Sequence, residues 1–119
     1  MSLNAYHRTR TITETPRGAE HRLMQQVTGD LMRARDARLS GISLMPALSR
    51  NREVWSALSN ACAARGNALP DPLRASIVSL GLWVDRYSSD VAAGRDGVDA
   101  LIDVNRAIIE GLQGNNAPA

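Results

Sequence analysis

In the stretch from Leu73 to Val91, apolar side chains recur on two sides of a single helix. At roughly 100° per residue, Leu73, Ile77, Leu80, Val84, Tyr87 and Val91 fall within about 80° of one another, and Trp83 sits on their flank. Ala75, Val78 and Leu82 fall on nearly the opposite side. A helix that is apolar on opposite faces is either central in a bundle or covered partly by its own chain and partly by another. Asp71 reads as its N-cap and Pro72 as its first helical residue, where a missing N–H costs nothing. Gly66, just before, suits a left-handed stop for the preceding helix.

The same period marks three further helices. Thr15-Pro16 starts the first long one, with Leu23, Val27, Leu31 and Ala34 as its buried stripe, Met24 beside it, and an end near Ser40-Gly41. The apolar connector from Ile42 to Pro46 follows. Because proline disfavours helix at the preceding residue, the next helix is expected to begin between Pro46 and Arg50. Its stripe is Ala47, Asn51, Trp55, Leu58 and Cys62, and it stops near Arg65-Gly66. A turn at residues 92–97 leads to the last helix, opened by Asp96 or Gly97, with Asp99 in its first turn. Val98, Leu101, Ile102, Ile109 and Leu112 form its stripe, Ile108 flanks it, and Asn105 lies at its centre.

Ahead of these, Asn4 can cap a short helix through Ile12, an arm whose threonines weaken its helix propensity. Gln113 to Ala119 has the composition of a disordered tail. Short loops favour antiparallel neighbours. The expected fold is therefore all-α: an antiparallel four-helix bundle with a short N-terminal helical arm, one domain over residues 1–112, and a tail over 113–119.

Composition narrows this picture further. The 119 residues contain no Phe, so the core must be aliphatic and Ala-rich. All 14 basic residues are arginine, with nine among residues 1–60 against five acids and five among residues 61–119 against seven. That asymmetry is too mild to indicate nucleic acid. A single cysteine, Cys62, excludes an internal disulfide and fits a reducing cytoplasm. No apolar run reaches the roughly 18 residues of a membrane span.

The sequence offers no catalytic constellation. His7 and His21 fall on different elements, no Cys/His cluster has zinc spacing, and no glycine-rich loop precedes a helix. The expectation is a protein that is not an enzyme and takes neither metal nor cofactor. Asn51 and Asn105 carry more information, because a buried amide must find partners. Either they tie the fold together or Asn105 meets the backbone of a bound partner. Trp55 and Trp83 read as core filling, each indole N–H needing an acceptor.

One ordered set of residues resembles a known family. It comprises Asn4-Ala5-Tyr6, Pro16-Arg17 with Glu20 and Leu23, Trp55, Asn67-x-Leu69-Pro70-x-x-Leu73-Arg74, Leu80, Trp83-Val84, Leu101-Ile102-x-x-Asn105-Arg106 and Gly111-Leu112. In order and spacing, from Asn4 to Leu112, it resembles the flagellar biosynthesis regulator FlaF family of alphaproteobacteria. The resemblance implies a cytoplasmic protein needed for flagellin production or export, acting with a partner regulator that restrains flagellin translation. It also implies direct binding of flagellin as a substrate-specific secretion chaperone.

A bundle with a spare apolar face suits such a role, because flagellin's terminal segments form amphipathic helices that would aggregate if left uncovered. Helix-in-groove recognition would shield them. Ala75, Val78 and Leu82 are the expected groove wall, with Leu44 and Met45 from the connector supplementing it, and Tyr6, Trp83 and Asn105 as further candidate contacts. Two other readings compete. Arg33, Arg35, Arg38, Arg50 and Arg52 cluster near the first helix junction and would serve a regulator contacting flagellin messenger RNA, although they lack stacking aromatics and are interrupted by Asp30, Asp36 and Glu53. Alternatively, the spare face could pair with a second copy of the chain.

Overall fold

The computed structural model describes residues 15–64 and 68–116. Four helices account for most of them: α1 (Pro16–Asp36), α2 (Met45–Ala63), α3 (Asp71–Ala92) and α4 (Asp99–Asn116). A single 3-10 turn, Gly41–Leu44, leads into α2, and no strand occurs among the described residues.

Cross-helix contacts give the topology. Arg50 bonds Asp30 between α2 and α1, and Arg52 reaches Asp85 and Ser89 on α3. Near the opposite end of that pair, Arg74 Nε donates to the Cys62 carbonyl. Tyr87 OH donates to the Gly97 carbonyl where α3 turns back toward α4, and Arg35 meets Asp99 where α4 begins beside the end of α1. Each consecutive pair therefore runs antiparallel, and α4 closes against α1.

The expected stripe of α2 is buried at every position: Ala47, Asn51, Trp55, Leu58 and Cys62. On α1 and α4 the buried positions differ from the expected stripes. On α1 the core residues are Met24, Val27, Leu31 and Ala34, while Leu23 is exposed; the helix is rotated so that Met24, which reaches further, fills the core. On α4, Ile108 is buried and Ile109 only partly so. The helix also continues through Asn116, past Gln113, where a tail was expected. Trp55 is core, at 1% exposure, whereas Trp83 is half-buried and stacks on Tyr87 with ring centroids 4.7 Å apart.

The ends of the helices show how the backbone groups are satisfied. Thr15 caps α1, its hydroxyl accepting from the Gly18 N–H at 2.9 Å. The helix stops at Asp36 rather than near Gly41, because Arg38 takes the left-handed conformation (φ 55°). There the Arg38 N–H donates to the Arg35 carbonyl and the Leu39 N–H to the Ala34 carbonyl, a complete Schellman closure made without glycine. α3 ends the same way, with Gly94 at φ 78°. α2 starts at Met45 despite Pro46, because the 3-10 turn delivers Met45 already helical, its N–H held by the Ile42 carbonyl. Pro70 occupies the N-cap position of α3, so Asp71 is its first residue and acts through the helix dipole and Arg74 rather than as a side-chain cap. α4 opens at Asp99, two residues beyond the expected Gly97. The Gly66 stop and the Asn4–Ile12 arm lie outside the described residues.

Asp30 links α1 to α2. Desolvation alone would raise its pKa, but the hydrogen bonds and charges of Arg33 and Arg50 hold the carboxyl below its ordinary value. A depressed carboxyl contributes stability that is present above the unfolded-state pKa and is lost as pH falls through the folded one. Asp30→Asn is thus expected to lower stability at neutral pH by up to about 1 kcal/mol, the ceiling for exposed pairs. The gap to wild type should close as pH drops below about 4, where the unfolded-state carboxyl itself protonates. Thermal melts across that range would check this; a gap that persists undiminished in acid would contradict it.

Candidate functional site

The spare face of α3 meets α2 along a surface groove of about 340 Å³. Val78, Gly81, Leu82 and Asp85 form the α3 wall. Arg52, Ser56, Ser59, Asn60 and Ala63 form the α2 wall, and the edges of Trp55 and Val84 lie at its floor. A shallower depression continues past Ala63 and Val78 to Cys62, Asp71, Arg74, Ala75 and Ser79. The two run together along the α2–α3 seam.

Ala75, Val78 and Leu82 therefore come together as expected, at successive turns of one face. Leu82 is 67% exposed, a large apolar side chain left in water although core-facing residues lie on either side of it in sequence. The α2 wall was not anticipated. Its Ser56, Ser59 and Asn60 look like ordinary solvent-facing positions, and only the pairing of α2 with α3 makes them a wall. Gly81 was the available signal, since an interior helical glycine often marks close approach. A Cβ placed there would collide with the Ser59 hydroxyl and come within 3.7 Å of the Trp55 ring.

The groove is apolar on one side and polar on the other. Arg52 donates to the Asp85 carbonyl at 2.7 Å and the Ser89 hydroxyl at 2.6 Å, fixing the upper end. Ser59 Oγ is buried and has no hydrogen-bond partner among the described residues. Such a group carries a desolvation cost that a ligand's polar atom would remove. At the lower end the Cys62 thiol is pushed up in pKa by desolvation and then by Glu20, so it stays protonated and behaves as a small core residue.

The remaining expected contacts lie elsewhere. Leu44 is buried, because the 3-10 turn folds it inward. Met45 is exposed, but it sits with Leu39 and Ile42 at the far end of the bundle and lines no part of the groove. Trp83 lines no part of the groove; it packs partly against the core and stacks on Tyr87. Asn105 is completely buried: it accepts from Trp55 Nε1 at 2.7 Å and donates to Asn51 Oδ1 at 2.8 Å. Both of its amide ends are used inside the fold, which rules it out as a surface contact and resolves the choice the sequence left open. Tyr6 lies outside the described residues.

The arginine cluster is largely engaged as well. Arg33 and Arg50 share Asp30, Arg35 bridges Asp36 and Asp99, and Arg52 pairs with Asp85. Pairing of this kind weakens the cluster as a phosphate-binding surface. Among the described residues no helix is long and apolar enough to cross a membrane.

A family model described as flagellar protein FlaF matches residues 2–112, nearly the whole chain, and the chain belongs to that family. No curated protein and no solved structure matches it.

Proposed function

We propose that this FlaF-family chain binds flagellin in the α2–α3 groove and covers the apolar face of one of flagellin's terminal amphipathic helices before export. In this role it is a cytoplasmic, flagellin-specific chaperone that works by binding, without catalysis or cofactor. Holding flagellin also lets it regulate flagellin production, alone or with a partner regulator of flagellin translation. The observation that carries the reading is Leu82, exposed beside Val78 and Ala75 in a groove running along two helices. An incoming helix would lay its apolar stripe on these residues and its polar edge along Ser56, Ser59 and Asn60.

The test is co-purification of this chain with purified flagellin, full-length and trimmed of its terminal helices, at low and high ionic strength. Retention of full-length flagellin alone, nearly unchanged by salt, is the expected outcome. Equal retention of the trimmed form would refute the reading. Capture of flagellin messenger RNA with steep salt dependence, and no capture of flagellin, would replace it with the post-transcriptional alternative.

A further inference from the structure

We propose that the end of the bundle around the 3-10 turn pairs with a second copy of the chain, Ile42 of each copy entering a depression that lies beside Ile42 on the other. This surface shares no lining residue with the α2–α3 groove, so the pairing stands apart from the flagellin reading and leaves both grooves open.

The first argument is an apolar projection. Ile42 is 90% exposed, the most of any large apolar side chain among the described residues. Leu39 and Met45 are exposed too, so three of the five such side chains fall within seven residues. The 3-10 geometry puts them there. Residues three apart eclipse in it, so Ile42 and Met45 project on one side while Leu44 turns inward. Single exposed apolar residues are ordinary, but a cluster of them marks an interaction surface.

The second argument is a matching depression. It measures about 320 Å³ and opens beside the projection. Leu44, Val91 and Val98, all buried, give it an apolar floor, and Leu39 lines it as well. Ile42 lines no part of it, although Gly41 and Leu44 do. A two-fold interface uses the same patch on both subunits, so the patch must be complementary to itself. A projection and a depression side by side meet that condition.

The third argument is charge. Arg35 and Asp99 in this depression pair with each other. Arg38 and Asp96, also lining it, are both exposed, and neither has an ion-pair partner among the described residues. Arg38 moreover holds the left-handed position (φ 55°) where glycine is the usual choice, so the backbone bears strain for a side chain with no partner in its own chain. A two-fold axis sets Arg38 of each copy against Asp96 of the other. A partner of different sequence would have to supply projection, depression, cation and acid together; a second copy has all four. The surface holds about a dozen residues, roughly half of what a stable interface uses on each side, so the association is weak and seen only at high concentration.

The experiment is sedimentation equilibrium of the full chain up to about 1 mM, where a weak pair becomes populated. Wild type is expected to dimerise. Ile42→Asp, made at a solvated position, should melt like wild type and weaken association at least about tenfold, since both copies lose the contact. Arg38→Asp and Asp96→Arg should each weaken it, and the two together should restore it. Wild type that stays monomeric at about 1 mM overturns the proposal, whatever else binds this end. A dimer that Ile42→Asp leaves intact overturns it, because another face must then pair. Failure of the double charge swap to recover what each single swap loses overturns the two-fold register. Amide shifts on dilution give a readout without mutation: Leu39, Ser40, Ile42 and Gly97 should move while Ser59, Gly81 and Leu82 stay fixed. The reverse pattern would assign the dimer to the spare face of α3 and overturn the proposal.

Discussion

Replacing Trp55 with alanine is expected to destabilise the protein by about 3–5 kcal/mol, the usual range for truncating a large buried aromatic. A domain of this size is stable by only about 5–15 kcal/mol, so most of the cooperative transition would move toward zero denaturant. Two effects combine. The indole is 1% exposed, and its removal leaves a cavity between α2, α3 and α4. Its Nε1–H is also the donor to Asn105 Oδ1 at 2.7 Å, and Asn105 in turn holds Asn51 at 2.8 Å. Losing the donor leaves a buried carbonyl oxygen without a partner, which by itself costs about 1–3 kcal/mol. Trp55→Phe separates the two effects, since it keeps most of the volume and removes only the N–H. The alanine variant should be clearly worse than the phenylalanine variant, and both worse than wild type, in urea midpoints. A Trp55→Ala midpoint equal to wild type would show that this polar link does not hold the bundle together.

How much of this was legible from the chain depended on whether the information was local. The α2 stripe was readable because one face of one helix decides it: Ala47, Asn51, Trp55, Leu58 and Cys62 are spaced for burial and are buried. Leu23 and Met24 are adjacent, about 100° apart, and equally apolar; the rotation of α1 chooses between them, and that rotation is set by α2 and α4. α1 ends before Ser40-Gly41, where its sequence places the stop, because Arg38 rather than a glycine provides the left-handed residue, held by two backbone hydrogen bonds. The helical period marks Asn105 as an amide on a buried stripe, but its partners, Trp55 and Asn51, are 50 and 54 residues away across the bundle. No periodicity shows such a pairing. In the same way, the α3 wall of the groove could be read from its second apolar face, while the α2 wall consists of small polar residues whose role exists only once α3 lies beside them. The connector shows the limit most clearly: Leu44 and Ile42 are similar in hydrophobicity, and a single 3-10 turn buries the first while leaving the second 90% exposed.

The Val78→Asp, Leu82→Asp double variant is expected to remain folded and to lose flagellin. Leu82 is already 67% exposed, so a carboxylate there remains solvated in the free protein, and its effect on stability should stay within about 0.5 kcal/mol. Val78 packs partly against the core, so Asp at that position carries most of whatever stability is lost. In the complex the balance reverses. A helix lying along the groove would strip water from both carboxylates without supplying a cation, and burying an unpaired charge is among the costliest changes available. Arg52, the cation at that end of the groove, is already paired with Asp85, one turn beyond Leu82. A loss of several kcal/mol corresponds to at least a hundredfold weaker Kd, since each ~1.4 kcal/mol is a factor of ten. Thermal melting should be measured beside a flagellin pull-down, with Leu82→Asp alone as the variant least able to disturb the fold. If the single variant melts like wild type and flagellin is lost, the groove is the binding surface. If both variants melt cooperatively near wild type and still retain flagellin, flagellin binds elsewhere. If the double variant unfolds while the single variant stays folded and keeps flagellin, the Val78 side of the groove is core and the exposed Leu82 takes no part in binding.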